Sequence, residues 1–480
     1  MPHRRSRFVA RSLRGELARS LAALRDQLGL PDTFPASALT EATAAAETVA
    51  VEPSASGLAD LRDIEFLTID PAGSTDLDQA MHLERTSTGA ILHYAIADVP
   101  AFVSPGGAVD AEARRRGQTL YAPDGRIPLH PATLSDDAAS LLPGRDRRAY
   151  VWRFVLDGGA RPTETTLTRA VVRSRQQWSY IDAQRAIDSG DAPGTLLGLP
   201  WFGAARADRE RERGGASLNL PETRVVATPD DRGYALERSD GVPLEDWNAD
   251  VSLLTGMAAA QIMIDGAVGI LRTMPPAGAA DLEAFRAQTV ALGMPWAPGV
   301  AYGDYLRGLD RSPAARAVRE YAATLFRGAG YVSFDGAAPT ATVQAAIGAP
   351  YAHTTARLRR LVDRWSLVIC DALANGREVP PWARASLNDL PSAMSRSNAV
   401  AARLDAGSID RVEAALLAGH VGEVFDGLVV SVRGGMSRVQ IDRPPVEAAV
   451  EGLDAAPGTG VRLRLVAASI ADGTVAFAAV

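Results

Sequence analysis

Three aspartates lie within one short segment of the sequence, Thr68-Ile69-Asp70-Pro71-Ala72-Gly73-Ser74-Thr75-Asp76-Leu77-Asp78-Gln79-Ala80. The apolar residues at its start predict a strand that ends at Asp70, after which proline and glycine turn the chain. Asp76 and Asp78 are two residues apart, so an extended backbone points both side chains the same way and turns Leu77 toward the core. The spacing therefore predicts that the three carboxylates converge.

Converging carboxylates repel one another unless a cation neutralises them. Oxygen ligands of this kind suit Mg²⁺ or Mn²⁺, which also bind substrate phosphates. Aspartate, glycine, proline and serine are equally common in ordinary turns, where aspartate accepts hydrogen bonds from backbone amides. From these residues alone, a metal site and a structural turn both remain open. We expect Asp98, in a following apolar segment, to be a structural group and not a ligand.

The bulk composition is that of a globular protein. A chain of 480 residues with 47% hydrophobic and 22% charged residues can form two or three domains with large cores. No apolar run approaches the roughly 20 residues needed to cross a bilayer, so we expect no membrane partner. The single cysteine, Cys370, cannot form an internal disulfide, which favours a buried structural role and a cytoplasmic location.

All 50 basic side chains are arginines. The net charge of −7 argues against non-specific binding of nucleic acid by the chain as a whole. Any phosphate contacts must therefore come from local groups of guanidiniums, which can bind bidentately. Arginines cluster at residues 114–116, 145–148 and 357–364, although each cluster taken alone favours a solvated face.

The patterns of apolar residues predict an α+β fold in three parts. Residues 1–58 form a short helical N-terminal segment, and residues 59–400 form a mixed α/β domain with short strands first and longer helices later. Residues 401–480 form a linker helix and a small OB-like β-barrel, a common module for single-stranded nucleic acid. The predicted helices are Arg11–Leu28, Ala36–Ala46, Asp250–Ile270, Ser312–Phe326, Ala356–Leu373 and Ile409–Ala418.

The aspartate segment resembles the start of the RNB catalytic domain of the ribonuclease II family of exoribonucleases. Other segments resemble that family in the same order, and an ordered set is more specific than any single motif. These segments are Tyr94–Val99, Gly106–Pro128, Leu134–Leu141, Gly144–Arg147 and Tyr351–Arg364. The resemblance implies an RNB-type catalytic domain followed by an RNA-binding barrel.

What the resemblance implies about activity is specific. It implies hydrolysis of single-stranded RNA from the 3′ end to 5′-nucleoside monophosphates, with Mg²⁺ as the cofactor and Mn²⁺ as a possible substitute. It implies that Asp70, Asp76 and Asp78 bind two metal ions, that Asp78 is the acid most critical to the chemistry, and that Arg359 contacts the scissile phosphate. Arg357, Arg360 and Tyr180 would then contact the RNA strand. The sequence makes no prediction of oligomeric state.

The sequence also departs from the family pattern. Gln79 stands where many members have a fourth aspartate, and its amide oxygen can bind a metal without adding charge. The basic helix lacks the usual proline and tyrosine and has Arg357 and Leu361 instead. Helical spacing would place Asp363 one turn after Arg359, where it could orient the guanidinium. The 58 residues before the domain are shorter than the paired cold-shock domains of many members, so we expect substrate capture to differ.

These departures leave two other functions open. One is a catalytically weakened relative that binds RNA without cutting it, which a magnesium-dependent nuclease assay would distinguish. The other is a metal-dependent phosphohydrolase of small phosphoesters, which would leave the C-terminal barrel without a purpose. The histidines are scattered without ligand spacing, so we predict structural roles for them and no general base.

Overall fold

A computed structural model describes residues 14–216, 222–227, 234–239, 241–310 and 312–480. Its α-helices are α1 (Arg14–Gln27), α2 (Ala36–Thr48), α3 (Pro53–Ser56), α4 (Ala108–Arg116), α5 (Tyr180–Ser189), α6 (Gly194–Arg213), α7 (Pro243–Asp265), α8 (Ala279–Ala291), α9 (Tyr302–Gly308), α10 (Pro313–Ala323), α11 (Leu361–Ala374), α12 (Pro381–Ala385) and α13 (Leu390–Leu417).

The strands of the first half are β1 (Ala59–Asp60), β2 (Phe66–Asp70), β3 (Gln79–Arg85), β4 (Gly89–Ala97), β5 (Leu120–Ala122), β6 (Gly125–Ile127), β7 (Asp146–Asp157), β8 (Pro162–Ser179), β9 (Glu222–Ala227) and β10 (Tyr234–Ser239). Those of the second half are β11 (Val268–Thr273), β12 (Gly330–Asp335), β13 (Val343–Gln344), β14 (Ala349–Pro350), β15 (Val424–Arg433), β16 (Met436–Asp442), β17 (Pro445–Glu451), β18 (Gly460–Ser469) and β19 (Thr474–Ala479). Strands and helices mix along the chain, which confirms the predicted α+β class.

A closed ring of five strands holds the aspartate segment. β2, β3, β4, β7 and β8 pair antiparallel in that order. β8 then pairs in parallel with β2 and closes the ring. Closure is possible because β8 spans 18 residues, so its first part pairs with β7 and its last part with β2. The ring places the end of β2 and the start of β3 side by side, with the aspartate segment between them.

Helix α6 packs against β3 of this ring and α11 against β8, and α7 packs against both helices. Residues Leu361 to Ala372 of α11 are all buried. Cys370 is fully buried among them, as predicted. The helix predicted over residues 356–373 was wrong at its start, because Arg360 is extended (φ −134°) and the helix begins only at Leu361. The basic residues before it therefore lie in a turn.

The helix predicted over residues 250–270 was wrong at both ends, since α7 already begins at Pro243. α7 stops at Asp265 and Gly266 follows it, while Ala267 has a positive φ of 54°. The apolar residues from Val268 onward instead form β11, which pairs with β12. A short apolar run has the same composition in a buried helix and in a buried strand, so the pattern alone did not mark the boundary.

The two ends of the described chain meet at α13. Leu17 and Leu21 of α1 pack against Val412 and Leu416 of α13. The first residues of the predicted N-terminal helix, 11–13, lie outside the described residues. α13 contains residues 409–417 of the helix predicted over 409–418, begins already at Leu390, and so crosses the domain boundary predicted at 400/401. Within the described part of the chain, no helix is both long and apolar enough to cross a membrane.

The C-terminal strands form a separate small sheet. Their order is β17-β16-β15-β18-β19, and the sheet is nearly closed. Its own hydrophobic core includes Phe425, Val439, Leu463 and Leu465. The alternating apolar residues of residues 422–480 therefore form the barrel-like module that the sequence predicts.

Candidate active site

The aspartate segment is fixed by backbone hydrogen bonds on both sides. Gly73 has a positive φ of 83°, and the Ser74 amide donates to the Pro71 carbonyl (3.2 Å), which reverses the chain after β2. Leu77 is fully buried, as the alternation predicts. Its amide donates to Ser140 Oγ (2.9 Å), and that hydroxyl donates to the carbonyl of Thr75 (2.7 Å). The loop is therefore held in one conformation by the core.

Seven of the eight predicted site residues line one cavity of about 590 Å³. They are Asp70, Asp76, Asp78, Gln79, Tyr180, Arg359 and Arg360. These residues come from the end of β2, the loop before β3, the start of α5 and the turn before α11. Folding thus brings together segments that are up to about 290 residues apart in the sequence.

Asp78 links the aspartate segment to the turn before α11. Its residue is only 4% exposed. Its Oδ1 accepts a hydrogen bond from the Leu358 amide (2.7 Å), and its Oδ2 lies 3.6 Å from Nε of Arg359. The side chain of Arg359 is 47% exposed, so its guanidinium remains accessible from the cavity.

Asp76 has partners that the sequence did not indicate. Its Oδ1 lies 2.8 Å from Nη1 of Arg126, and the hydroxyl of Tyr121 donates to its Oδ2 (3.4 Å). Both partners belong to the β5–β6 hairpin, which lies about 45–50 residues further along the chain. Both residues lie in the segment Gly106–Pro128, which resembles the ribonuclease II family, but no local pattern connects them to Asp76.

Two of the three aspartates, Asp70 and Asp78, have raised pKa values. Burial, followed by the charges of Asp78 and Asp76, raises the pKa of Asp70 to about 8. Burial raises the pKa of Asp78 to about 7, although Arg359 and the hydrogen bond from the Leu358 amide oppose this shift. Asp70 makes no side-chain hydrogen bond or ion pair with the described residues. Ionising both groups therefore leaves negative charge without sufficient compensation from the protein.

The donor set fits a hard divalent cation in its chemistry. Asp70 and Asp78 supply carboxylates, and Gln79 supplies an amide whose Nε2 donates to the Thr355 carbonyl (2.6 Å). Oxygen donors of this kind are those that Mg²⁺ and Mn²⁺ prefer. Among the residues that the structure describes, no three acidic, histidine or cysteine side chains are grouped closely enough to hold an ion. Asp76, directed toward Arg126, would have to turn to complete such a group.

Arg360 and Tyr180 are held in place from behind the cavity. Arg360 Nη2 lies 3.0 Å from Asp363 Oδ1, and the Asn248 amide donates to the Tyr180 hydroxyl (3.0 Å). The pairing of Asp363 with Arg359 expected from helical spacing was therefore wrong. Because the helix starts at Leu361, Asp363 instead accepts hydrogen bonds from Arg360 and from the amide of Ala356 (2.8 Å).

Arg357 was wrongly predicted to contact RNA. Its side chain is fully buried, its Nη1 donates to the Ala97 carbonyl (2.9 Å), and its guanidinium lies 4.5 Å from the Tyr150 ring centroid. Burial lowers its pKa to about 10. A guanidinium enclosed in this way cannot reach a nucleic acid, so Arg357 supports the turn from inside.

The structure identifies further residues at the cavity that sequence reasoning missed. Tyr121 is 51% exposed, while Tyr351 is mostly buried and presents part of its ring. Asn248 reaches the cavity from α7, outside the segments that resembled the family. Asp98 is structural, as predicted, since it is fully buried and pairs with Arg148 and Arg169 at 3.3 and 2.6 Å.

Comparison with known proteins assigns the two parts of the fold. Residues 58–369 match the family model described as the RNB domain, and residues 423–480 match an RNase II-type exonuclease C-terminal S1 domain. Ribonuclease R of Acidithiobacillus ferrooxidans is 38% identical over 164 residues, which make up 34% of this chain and 37% of that protein. The alignments span 18% to 37% of the length of such curated relatives.

Solved structures share the fold at low sequence identity. Mycoplasma genitalium RNase R in complex with ribose methylated single-stranded RNA has a TM-score of 0.85 at 17% identity, covering 97% of this chain and 78% of that chain. Yeast Ssd1, described as a pseudonuclease, has a TM-score of 0.64 at 17% identity, covering 88% of this chain and 52% of that one. Because the RNB model matches more than half of the sequence, the chain belongs to the RNB-domain family of ribonuclease II type.

Proposed function

We propose that this protein is a 3′-to-5′ exoribonuclease that hydrolyses single-stranded RNA to 5′-nucleoside monophosphates with Mg²⁺, or Mn²⁺ in its place. The observation that carries this proposal is the convergence of Asp70, Asp76, Asp78 and Arg359 on one cavity in an RNB domain. Acidic oxygens opposite an accessible guanidinium form a site that can hold both a cation and a phosphodiester. The family membership favours RNA as the substrate.

The proposed mechanism divides the work among these residues. Asp70, Asp76, Asp78 and Gln79 would hold two metal ions, and the chemistry that bound Mg²⁺ supplies is activation of water and stabilisation of the departing 3′ oxygen. Arg359 would contact the non-bridging oxygens of the scissile phosphate and compensate the charge that develops on them. Asp78 would orient Arg359 for this role through its Oδ2, 3.6 Å away.

The remaining groups would position the RNA strand. Arg360 would contribute a second cationic contact, held in place by Asp363. The rings of Tyr180, Tyr121 and Tyr351 lie on the cavity, where aromatic side chains can stack on bases without sequence preference. The C-terminal barrel would extend this binding surface, and affinity should fall as salt rises. We place the activity in the cytoplasm on the basis of cysteine usage alone.

A second candidate function is RNA binding without hydrolysis. Gln79 adds no charge to the acidic group, Asp76 is paired with Arg126, and a structural neighbour is described as a pseudonuclease. In this case the cavity would hold the strand while the chemistry is weakened. The same cavity serves both functions, so the two differ in turnover and not in affinity.

Product analysis over time distinguishes the two functions. The full chain is incubated with 5′-labelled single-stranded RNA and Mg²⁺, with a parallel reaction in EDTA. A ladder of shortening labelled products that EDTA abolishes supports the metal-dependent exoribonuclease. Intact RNA in both reactions, together with a shifted band in a gel-retardation assay, supports the binding protein and contradicts the proposed activity.

A further inference from the structure

Arg126 lies between two carboxylates that come from different loops. Its Nη1 is 2.8 Å from Oδ1 of Asp76, and its Nη2 is 2.5 Å from Oδ2 of Asp136. Nη2 also donates to Thr75 Oγ1 at 3.3 Å. Arg126 is in β6, and Asp136 is in a single π-helical turn, Leu134–Ala138. One guanidinium therefore has two acidic partners, of which only Asp76 lines the cavity.

The pairing engages both oxygens of Asp76. Oδ1 faces Arg126, and Oδ2 accepts the hydrogen bond from Tyr121. The side chains of Asp76 and Arg126 are 14% and 27% exposed, so water screens this contact only in part. A divalent cation and a guanidinium at the same carboxylate repel each other, and the repulsion is stronger where water is partly excluded. A metal ion that uses Asp76 must therefore compete with Arg126.

Asp70 and Asp78 have no comparable competitor. Asp70 makes no ion pair with the described residues, and the arginine nearest to Asp78 is Arg359 at 3.6 Å, with a side chain that is 47% exposed. Asp76 is thus the member of the acidic group whose availability depends on a close guanidinium. Substitutions at Arg126 or Asp136 can alter the availability of Asp76 without changing any oxygen atom that lines the cavity.

We propose that Arg126 is a positioning residue that competes with the divalent cation for Asp76, and that Asp136 is the acceptor that draws Arg126 away. The inference rests on the proposed metal site and adds a determinant of its affinity. When the cation binds Asp76, Arg126 keeps its contacts with Asp136 and Thr75, so its charge stays compensated. Metal affinity is then set by the competition between two carboxylates for one guanidinium.

This arrangement predicts that substitutions of Arg126 and of Asp136 change metal affinity in opposite directions. Arg126→Gln removes the competing charge, so Mn²⁺ should bind about tenfold more tightly than in the wild type. Asp136→Asn leaves Arg126 with Asp76 as its acidic partner, so Mn²⁺ should bind several-fold more weakly. In the double variant no guanidinium remains for Asp136 to hold, so Asp136→Asn should have no further effect. Mn²⁺ affinity should then equal that of Arg126→Gln.

The test measures Mn²⁺ binding to the full-length protein by electron paramagnetic resonance, without RNA or turnover. Arg153→Gln is the matched control, since it removes the same charge from an exposed pair with Glu164 and should leave affinity unchanged. Thermal unfolding verifies that each variant is folded. Because disruption of the site can only weaken binding, tighter binding in Arg126→Gln cannot result from damage to the fold.

The outcomes separate this inference from the proposed function. If the wild type and Arg126→Gln bind Mn²⁺ equally, the competition is refuted while the metal site stands. If Asp136→Asn changes affinity in the same direction as Arg126→Gln, the role of Asp136 is refuted. If neither protein binds Mn²⁺, the proposed metal site fails and the inference fails with it.

Discussion

The Oδ2 atom of Asp78 lies 3.6 Å from Nε of Arg359, so an ion pair joins the acidic segment to the turn before α11. The same carboxylate accepts the Leu358 amide through Oδ1. Asp78 is itself a predicted metal ligand, and it contacts the predicted phosphate ligand directly. The contact gives the clearest expectations for how substitutions at either residue should act.

We expect Asp78→Asn to abolish hydrolysis while RNA binding is retained. The asparagine carbonyl can still accept the Leu358 amide, which preserves the turn, but the charge needed to hold a cation is lost. Single-turnover degradation of labelled RNA should slow by about 100-fold or more. Affinity measured by filter binding in EDTA should remain within about threefold of the wild type. Asp32→Asn, at an exposed aspartate outside the cavity, is the matched control.

Arg359→Ala should slow turnover without destabilising the fold. Its side chain is 47% exposed and makes one loose ion pair, so the melting temperature should not change. Loss of one phosphate contact should lower the slope of log affinity against log salt by about one unit. Turnover at the wild-type rate with an unchanged salt slope would exclude the phosphate role.

Substitution of Arg357, two residues earlier, should have the opposite pattern: it should lower stability and leave RNA binding unchanged. Arg357→Ala empties a fully buried site and removes the hydrogen bond to the Ala97 carbonyl, so it should lower unfolding free energy by about 2–4 kcal/mol. Arg357→Met fills more of that volume without burying a charge and should lose less. Denaturant titration measures both. RNA affinity and salt slope of Arg357→Met should match the wild type, and a reduced slope would restore Arg357 as an RNA contact.

The secondary structure could be predicted where the pattern of apolar residues and the length of the segment both indicate the same element. The strand that ends at Asp70 and the C-terminal barrel formed as predicted, because short apolar runs bounded by turn residues favour strands. The ends of α7 and α11 could not be predicted, since each depends on tertiary contacts. Asp363 holds the Ala356 amide in a turn that its helical pattern alone does not indicate.

The site could be predicted in its acidic segment but not in its pairings. Asp70, Asp76 and Asp78 are close in sequence, so the backbone alone brings them near one another. The contact between Asp76 and Arg126 depends on how the β5–β6 hairpin packs, which no local spacing encodes. Burial of Arg357 likewise depends on β7, whose Tyr150 lies beneath the guanidinium. An arginine-rich segment indicates charge, but the fold decides which charges reach solvent.

Metal affinity should rise with pH through the neutral range. The pKa of Asp70 is raised to about 8 and that of Asp78 to about 7, mainly by burial, so both must lose protons before they bind a cation. Mn²⁺ affinity should increase steadily from about pH 6 to pH 8, with protons released on binding. Calorimetry in buffers of different ionisation enthalpy counts those protons. A pH-independent affinity with no proton release would contradict the raised pKa values.

Asp70→Asn should stabilise the protein when no divalent cation is available. Because the folded-state pKa of Asp70, about 8, is above the ordinary value of 3.8, the stability associated with its bound proton is present below about pH 4 and is lost as pH rises toward 8. An asparagine side chain does not ionise, so its burial costs no stability as the pH rises. In EDTA at pH 8 the variant should melt a few degrees above the wild type, with no difference near pH 4.

Saturating Mg²⁺ should reverse the order at pH 8, because the wild type then gains binding free energy that the variant lacks. If the wild type is the more stable protein in EDTA at pH 8, Asp70 contributes to folding and is not a destabilising functional acid.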